Sequence, residues 1–242
     1  MLKKKEKIRA LFISDIHMGL FFSQIEKLYK VLEYYEAEKI YFIGDTLNSS
    51  KLQQQKQKLL NTLILETSSQ TKLFFLQGNH DKEMHYNDAF LDEVIYTTLQ
   101  EKRYLLIHGD IFDDKEEKKS LLLQFFGESV YFIALHLNNI TNFFLFKFLT
   151  TSKPFLVTKL IKDSSSMIQS HITRYKSFLT SYAKKRELDG VICGHIHYPS
   201  NEIIEDIHYL NCGDWIENCS FIIETLDGEL KLLTYYDIAH DS

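Results

Sequence analysis

Short apolar runs that stop abruptly at polar clusters recur along this chain. Ile8 to Ser14 is the first, and its continuous apolar character fits a strand buried on both faces of a sheet. From about Ser23, the residues Ile25, Leu28, Leu32 and Tyr35 fall at helical spacing, and Ile40 to Ile43 then forms a second run that ends at Gly44-Asp45. A polar helix over Gln53 to Glu66 and strands at Lys72 to Leu76 and Tyr104 to Ile107 continue the alternation of an α/β protein. Strand character returns at Gly190 to Cys193, Glu202 to Ile204, His208 to Leu210, Ser220 to Thr225 and Glu229 to Tyr235. Asp227-Gly228 between the last two tolerates the positive φ of a tight hairpin turn.

Between these two sets the pattern changes. Residues 115 to 186 show no clear strand, and residues 125 to 155 carry nine Phe or Tyr, so the expectation is a helical insertion, a lid within one domain spanning residues 1–242. Residues 129 to 186 hold nine Lys or Arg (147, 153, 159, 162, 174, 176, 184, 185 and 186) against one acid, Asp163, although the whole chain has a net charge of -5. That overall charge gives no support for nucleic-acid binding. The local excess, joined to the aromatic run at 137 to 149, fits two readings equally: an apolar, basic surface that rests on anionic membranes, or a helical hairpin with its aromatics packed inward and solvated lysines outside. A membrane span over Ser129 to Phe146 is disfavoured by His136, Asn138, Asn139 and Asn142 near its middle. Cys193, Cys212 and Cys219 lack the spacing of a zinc cluster or a disulfide framework and read as reduced core thiols. The basic N-terminus lacks a signal peptide's long apolar run and cleavage site, so the expected location is the cytoplasm.

Five short motifs sit at or just past the ends of expected strands: Asp15-Ile16-His17, Gly44-Asp45, Gly78-Asn79-His80-Asp81, His108-Gly109-Asp110 and Gly194-His195-Ile196-His197. Each alone is weak, because a single His after a strand is an ordinary surface residue. Together they supply the carboxylate oxygens and imidazoles that divalent ions favour, on the strand ends where open α/β sheets place their sites. Alternation in D-x-H and H-x-H would put the outer residues on one side of an extended backbone. No G-x-S-x-G elbow and no phosphate-binding G-x-x-x-x-G-K-[ST] loop is present, and Cys193 lies inside a strand, which argues against a serine or cysteine hydrolase.

This ordered set resembles the calcineurin-like metallophosphoesterase superfamily. The resemblance implies a four-layer αββα sheet sandwich and two divalent metal ions, with manganese expected. Asp15, His17, Asp45 and His197 would hold one ion, and Asp45, Asn79, His108 and His195 the other, with Asp45 as the bridge. His80 would act as the catalytic group at the phosphorus, with Asp81 orienting its ring, and Asn79, His80 and His195 would face the substrate. One departure is Asn48, where the family's second motif commonly has a second Asp. Its loss would tune the site through a neighbour of the ligands and leave the bridge intact.

Within the superfamily the chain resembles the UDP-2,3-diacylglucosamine diphosphatases of lipid A biosynthesis. The match rests on His108-Gly109-Asp110 with Phe112-Asp113, on residues 189 to 197, and on Asn211-Cys212-Gly213-Asp214-Trp215-Ile216-Glu217. This implies a lipid-linked sugar-nucleotide substrate, release of UMP and 2,3-diacylglucosamine 1-phosphate, and peripheral association with the cytoplasmic face of the inner membrane. A phosphodiesterase or phosphatase for a soluble nucleotide is the alternative, and a non-catalytic scaffold a third reading. For Asn211 and Asp214 a turn between strands is favoured over a loop bordering substrate, and for Trp215 core packing over stacking.

Overall fold

The structure is a computed structural model that describes residues 6–20, 22–47, 71–81, 90–112 and 166–239. The helix expected over Gln53 to Glu66, Asn48, and residues 115–165 of the expected insertion lie outside the described residues. The chain divides into two compact units, residues 111–177 and the remainder. Of the first, the description covers the end of a 3-10 turn (Asp110–Phe112) and the beginning of a helix, α2 (Ser166–Lys185).

The remainder of the chain is built on two sheets. Strands β1 (Glu6–Ile13), β2 (Tyr35–Ile43), β3 (Lys72–Leu76), β4 (Phe90–Leu91), β10 (Ser220–Glu224) and β11 (Leu230–Thr234) form one, in the order β11-β10-β1-β2-β3-β4. In the second, β5 (Glu93–Thr97), β6 (Arg103–Ile107), β7 (Gly190–Cys193), β8 (Ser200–Ile204) and β9 (Ile207–Asn211) lie in the order β5-β6-β7-β9-β8. Strands β1 to β4 run parallel, as do β6, β7 and β9, so each set of parallel strands opens its C-terminal ends along one edge. The hairpin of β10 and β11 pairs as expected, with Gly228 at φ 87° in its turn.

Alternation along each strand sends apolar side chains into two cores, which is why the runs read as continuous. Phe12, Tyr41, Ile43 and Leu76 from the first sheet meet Tyr96, Tyr104, Leu106, Ile192 and Leu210 from the second. Residues one position over, Leu11, Ile13 and Phe42, face the opposite way and pack with Trp215, Phe221 and the helix α1 (Ile25–Tyr34). This helix buries Leu28, Val31 and Leu32, positions three and four apart on one face. It ends because Tyr35 takes an extended conformation (φ -98°, ψ 141°), and β2 begins at that same residue without a loop. A short helix, α3 (Tyr235–Ala239), closes the described chain.

Two features were not visible in the residue pattern. Strands β4 and β5 are separated only by Asp92, so the chain passes from one sheet to the other within one residue. The sheets are also tied by Glu224, fully buried on β10. Its carboxylate accepts from the Tyr96 hydroxyl on β5, from the Leu99 backbone N–H at 2.7 Å and from Arg9 Nε at 3.3 Å. Burial of an acid at this depth is tolerated because three donors replace its water.

Candidate metal centre

The five motifs all emerge at C-terminal strand ends: Asp15 and His17 after β1, Asp45 after β2, Asn79 and His80 after β3, His108 at the end of β6, and His195 and His197 after β7. Neighbouring loops are stitched by backbone bonds, Asp15 N–H to Gly44 O at 3.2 Å and His17 N–H to Asp45 O at 2.9 Å. The extended backbone expected for D-x-H and H-x-H is corrected by the structure. Asp15, His17, Asp45, His195 and His197 all adopt positive φ, between 48° and 71°. Each such residue costs about 1–3 kcal/mol that the surroundings must offset, and such strain gathers where side chains have to be aimed.

The side chains converge. Asp15 Oδ1 lies 3.2 Å from His197 Nε2 and 3.8 Å from His17 Nε2, and the two imidazole nitrogens are 3.2 Å apart. Asp45 Oδ2 stands among three rings, 3.8 Å from His17 Nε2, 3.9 Å from His80 Nε2 and 3.4 Å from His108 Nε2. Asn79 Oδ1 is 3.3 Å from His108 Nε2, and the His195 ring meets the His108 ring edge-on at 5.2 Å between centroids. Three overlapping groups therefore have donor atoms close enough to share an ion: Asp15, His17 and His197; His17, Asp45 and His80; Asp15, Asp45 and His108.

The donor chemistry asks for a cation. His108 Nδ1 donates to the Ile43 carbonyl at 3.0 Å, so in the neutral ring the Nε2 lone pair faces the oxygens of Asp45 and Asn79. Asp15 Oδ1 and His17 Nδ1 are buried without a hydrogen-bond partner. Charge responds accordingly. Burial opposes a charged His108, yet the Asp45 carboxylate beside it raises its pKa to about 10. Burial and the neighbouring His197 push His17 down to about 4. The Asp15 carboxyl is held well below the usual carboxylate range, its burial outweighed by His197, His108 and His17. The residues present fit divalent ions held by oxygen and imidazole.

Ser14 and Gly194, which the motifs did not flag as a pair, shape the Asp15 carboxylate. The Ser14 hydroxyl lies 2.5 Å from Asp15 Oδ2 and 2.7 Å from Ile43 O, and the His195 N–H donates to the same Asp15 oxygen at 2.9 Å. Asp81 does something other than the expected orientation of His80. Its two oxygens accept from Leu47 N–H and Gly78 N–H, each at 3.0 Å, and among the described residues it makes no bond to the His80 ring. Burial raises the Asp81 pKa to about 6, against those two backbone bonds. His80 is instead anchored by its backbone N–H on Asp45 Oδ1 at 2.9 Å, and its side chain stays 38% exposed, open to an incoming substrate.

Buried carboxylates and imidazoles on adjoining strand ends of a two-sheet α/β core define a candidate divalent-metal centre. The chain belongs to the calcineurin-like phosphoesterase family, whose sequence profile matches residues 8–199. No curated protein matches it in sequence. Among solved structures it is similar to Yfce, a phosphoesterase from E. coli, at 15% identity and TM-score 0.47, covering 94% of this chain and 93% of that one. It is likewise similar to an archaeal phosphodiesterase at 14% identity and TM-score 0.45 (93% and 98% covered), and to Vps29 from Chaetomium thermophilum at 11% and 0.46 (93% and 92% covered). No helix among the described residues is long and apolar enough to cross a membrane.

Proposed function

We propose that this chain hydrolyses the pyrophosphate bond of UDP-2,3-diacylglucosamine, giving UMP and 2,3-diacylglucosamine 1-phosphate, at the cytoplasmic face of the inner membrane with two manganese ions. The observation that carries the hydrolytic part is the position of Asp45 Oδ2, within 3.9 Å of the ring nitrogens of His17, His80 and His108. Asp15, His17, Asp45 and His197 would hold one ion, and Asp45, Asn79, His108 and His195 the other. When bound, such ions supply Lewis acidity toward phosphoryl oxygens and acidify water at neutral pH.

The chain's own part is to aim these groups and handle the remaining proton. His80, partly exposed and pinned through its backbone to Asp45, is placed to donate a hydrogen bond to a phosphoryl oxygen or a proton to the departing one. The lipid-linked substrate is supported by the N-C-G-D-W-I-E segment after the last site motif and by the basic, aromatic character of residues 129 to 186, which suits a phosphate flanked by acyl chains.

The test is UMP release by purified protein with manganese. Release from the diacylated nucleotide, with kcat/KM falling sharply when the acyl chains are removed, is the expected result. Rapid cleavage of soluble phosphodiesters without UMP release from the lipid substrate would replace this reading by a soluble-nucleotide phosphodiesterase. The His80→Ala variant should keep its metal while losing about 100-fold or more in kcat. Unchanged turnover would remove His80 from the chemistry.

A further inference from the structure

The segment that follows β9 reads as a turn in the sequence, yet its contacts converge on the metal centre. Asn211 is fully buried, and its Nδ2 donates to Gly194 O at 2.8 Å while its Oδ1 accepts from Gly213 N–H at 2.9 Å. Trp215 N–H donates to Asp15 O at 3.0 Å. Asn218 Nδ2 lies 3.3 Å from His197 O and also donates to Asp214 Oδ2. One stretch of eight residues thus reaches the main chain of Asp15, of Gly194 and of His197.

Those carbonyls belong to strained positions or adjoin them. Asp15 has φ 54°, His195 71° and His197 49°. At about 1–3 kcal/mol each, three left-handed residues within a few ångströms will not persist unless their peptide groups are held from outside. Asp214 explains why the holder is itself rigid. It is fully buried, and its Oδ1 accepts from the N–H groups of Ile216 at 2.8 Å, Glu217 at 2.5 Å and Asn218 at 3.4 Å, leaving Oδ2 for the Asn218 amide. The Asp214 carboxylate therefore fixes the Asn218 side chain, and that side chain meets the His197 carbonyl.

We propose that Asn218, locked by Asp214, is a positioning residue that keeps His197 in its left-handed conformation and so turns its imidazole onto Asp15 and His17. The proposal rests on the reading of His197 as a metal ligand. It assigns Asn218 an unequal effect on the two ion sites. Asp15 and His197 are gripped by residues 215 and 218, whereas His108 is oriented by the Ile43 carbonyl at the end of β2.

The experiment is a manganese titration of metal-stripped, full-length protein against a competing chelator, for wild type, Asn218→Ala and His197→Ala, with thermal unfolding of each metal-free form as the check on folding. For Asn218→Ala, one of two binding constants should weaken by about 10- to 100-fold while the other stays as in wild type, the size expected when a group orienting a ligand is lost. The manganese spin-resonance signature of the coupled pair should fade at metal levels that saturate wild type. Should Asn218→Ala not fold, Asn218→Ser, whose hydroxyl is too short to span to His197 O, takes its place in the same titration. Two unchanged binding constants beside a lowered metal-free Tm would show a merely structural bond and overturn the proposal alone, provided His197→Ala still loses one ion. Wild-type uptake of no manganese, or His197→Ala binding like wild type, overturns the proposal together with the ligand reading beneath it.

Discussion

Gly194→Ala is the smallest change that should damage the centre, and its size can be worked from the packing. A Cβ at this position would sit 1.8 Å from Ser14 Oγ, 2.3 Å from Asp15 Oδ2 and 2.7 Å from Ser14 Cβ. All three are far inside van der Waals contact, which for carbon begins near 3.5 Å. Both neighbours are committed, Ser14 to Asp15 Oδ2 and Ile43 O, and Asp15 to the His195 N–H, so neither side chain can swing away without breaking buried bonds. Overpacking of this kind costs about 1–3 kcal/mol, and in a chain of this size that lowers the Tm of the metal-free protein by roughly 2–12 °C. A shift of about 1 Å in the Asp15 carboxylate can lower turnover by about 100-fold, so activity should suffer far more than stability does. The assay is a double-mutant cycle of Gly194→Ala with Ser14→Ala, read by metal-free Tm and by manganese affinity. Removing the Ser14 hydroxyl takes away the nearest clash but leaves Asp15 Oδ2, so the cycle should show coupling of about 0.5–3 kcal/mol without full rescue of metal binding. Wild-type manganese affinity in Gly194→Ala, or strictly additive effects in the cycle, would refute the reasoning.

Three further outcomes are expected. Chelation of the metal should lower the Tm, and readdition of manganese should restore it in proportion to the logarithm of free metal, as mass action requires, whereas a Tm insensitive to both would deny that the folded site binds an ion. Glu224→Ala removes the acceptor shared by Tyr96, Leu99 and Arg9, and leaving the buried Tyr96 hydroxyl without that acceptor should cost about 1–3 kcal/mol in urea unfolding; a change under about 0.5 kcal/mol would mean the tie between the sheets is not built on this residue. His208, whose Nδ1 faces the Tyr104 hydroxyl and whose Nε2 faces Asn201 Oδ1, each at 2.8 Å, has a pKa lowered first by burial and then by Lys102. Below about pH 6.5 the unfolded chain therefore binds a proton that the folded chain resists, stability falls with falling pH, and His208→Gln should flatten that slope in a pH series of unfolding curves; an unaltered slope would count against the argument.

The site was legible because parallel strands deliver their C-terminal ends to one edge, so a carboxylate, amide or imidazole after each apolar run declares both the sheet and the cluster. Asp15, Asp45, Asn79, His108 and His195 could be placed this way from their positions alone. The left-handed conformation of five site residues could not, since Asp and His visit that region only occasionally and only the flanking glycines hint at unusual backbone. Asp81 misled for a related reason. The family resemblance implied a partner for the His80 ring, whereas the Asp81 carboxylate turns back to the N–H groups of Leu47 and Gly78. Strand β4 has two residues, too few to show any period, and β5 has Glu93 and Thr97 at its ends with Ile95 exposed, so neither announces itself. Asn218 carries no motif at all. Its contact with His197 exists only once β9 has paired beside β7.

The junction at Tyr34-Tyr35, where α1 gives way to β2 with no intervening residue, bears on how this chain can change length. An extra residue there has no slack to occupy. It would either unwind the last helical turn or advance β2 by one step, and one step exchanges the two faces of Tyr41 and Phe42 and carries Asp45 away from its neighbours. The turn of residues 225–229, with its own hydroxyl and carbonyl bonds, can absorb the same insertion at the surface. Insertions and deletions among natural variants of this protein should accordingly gather at the second place and be missing from the first.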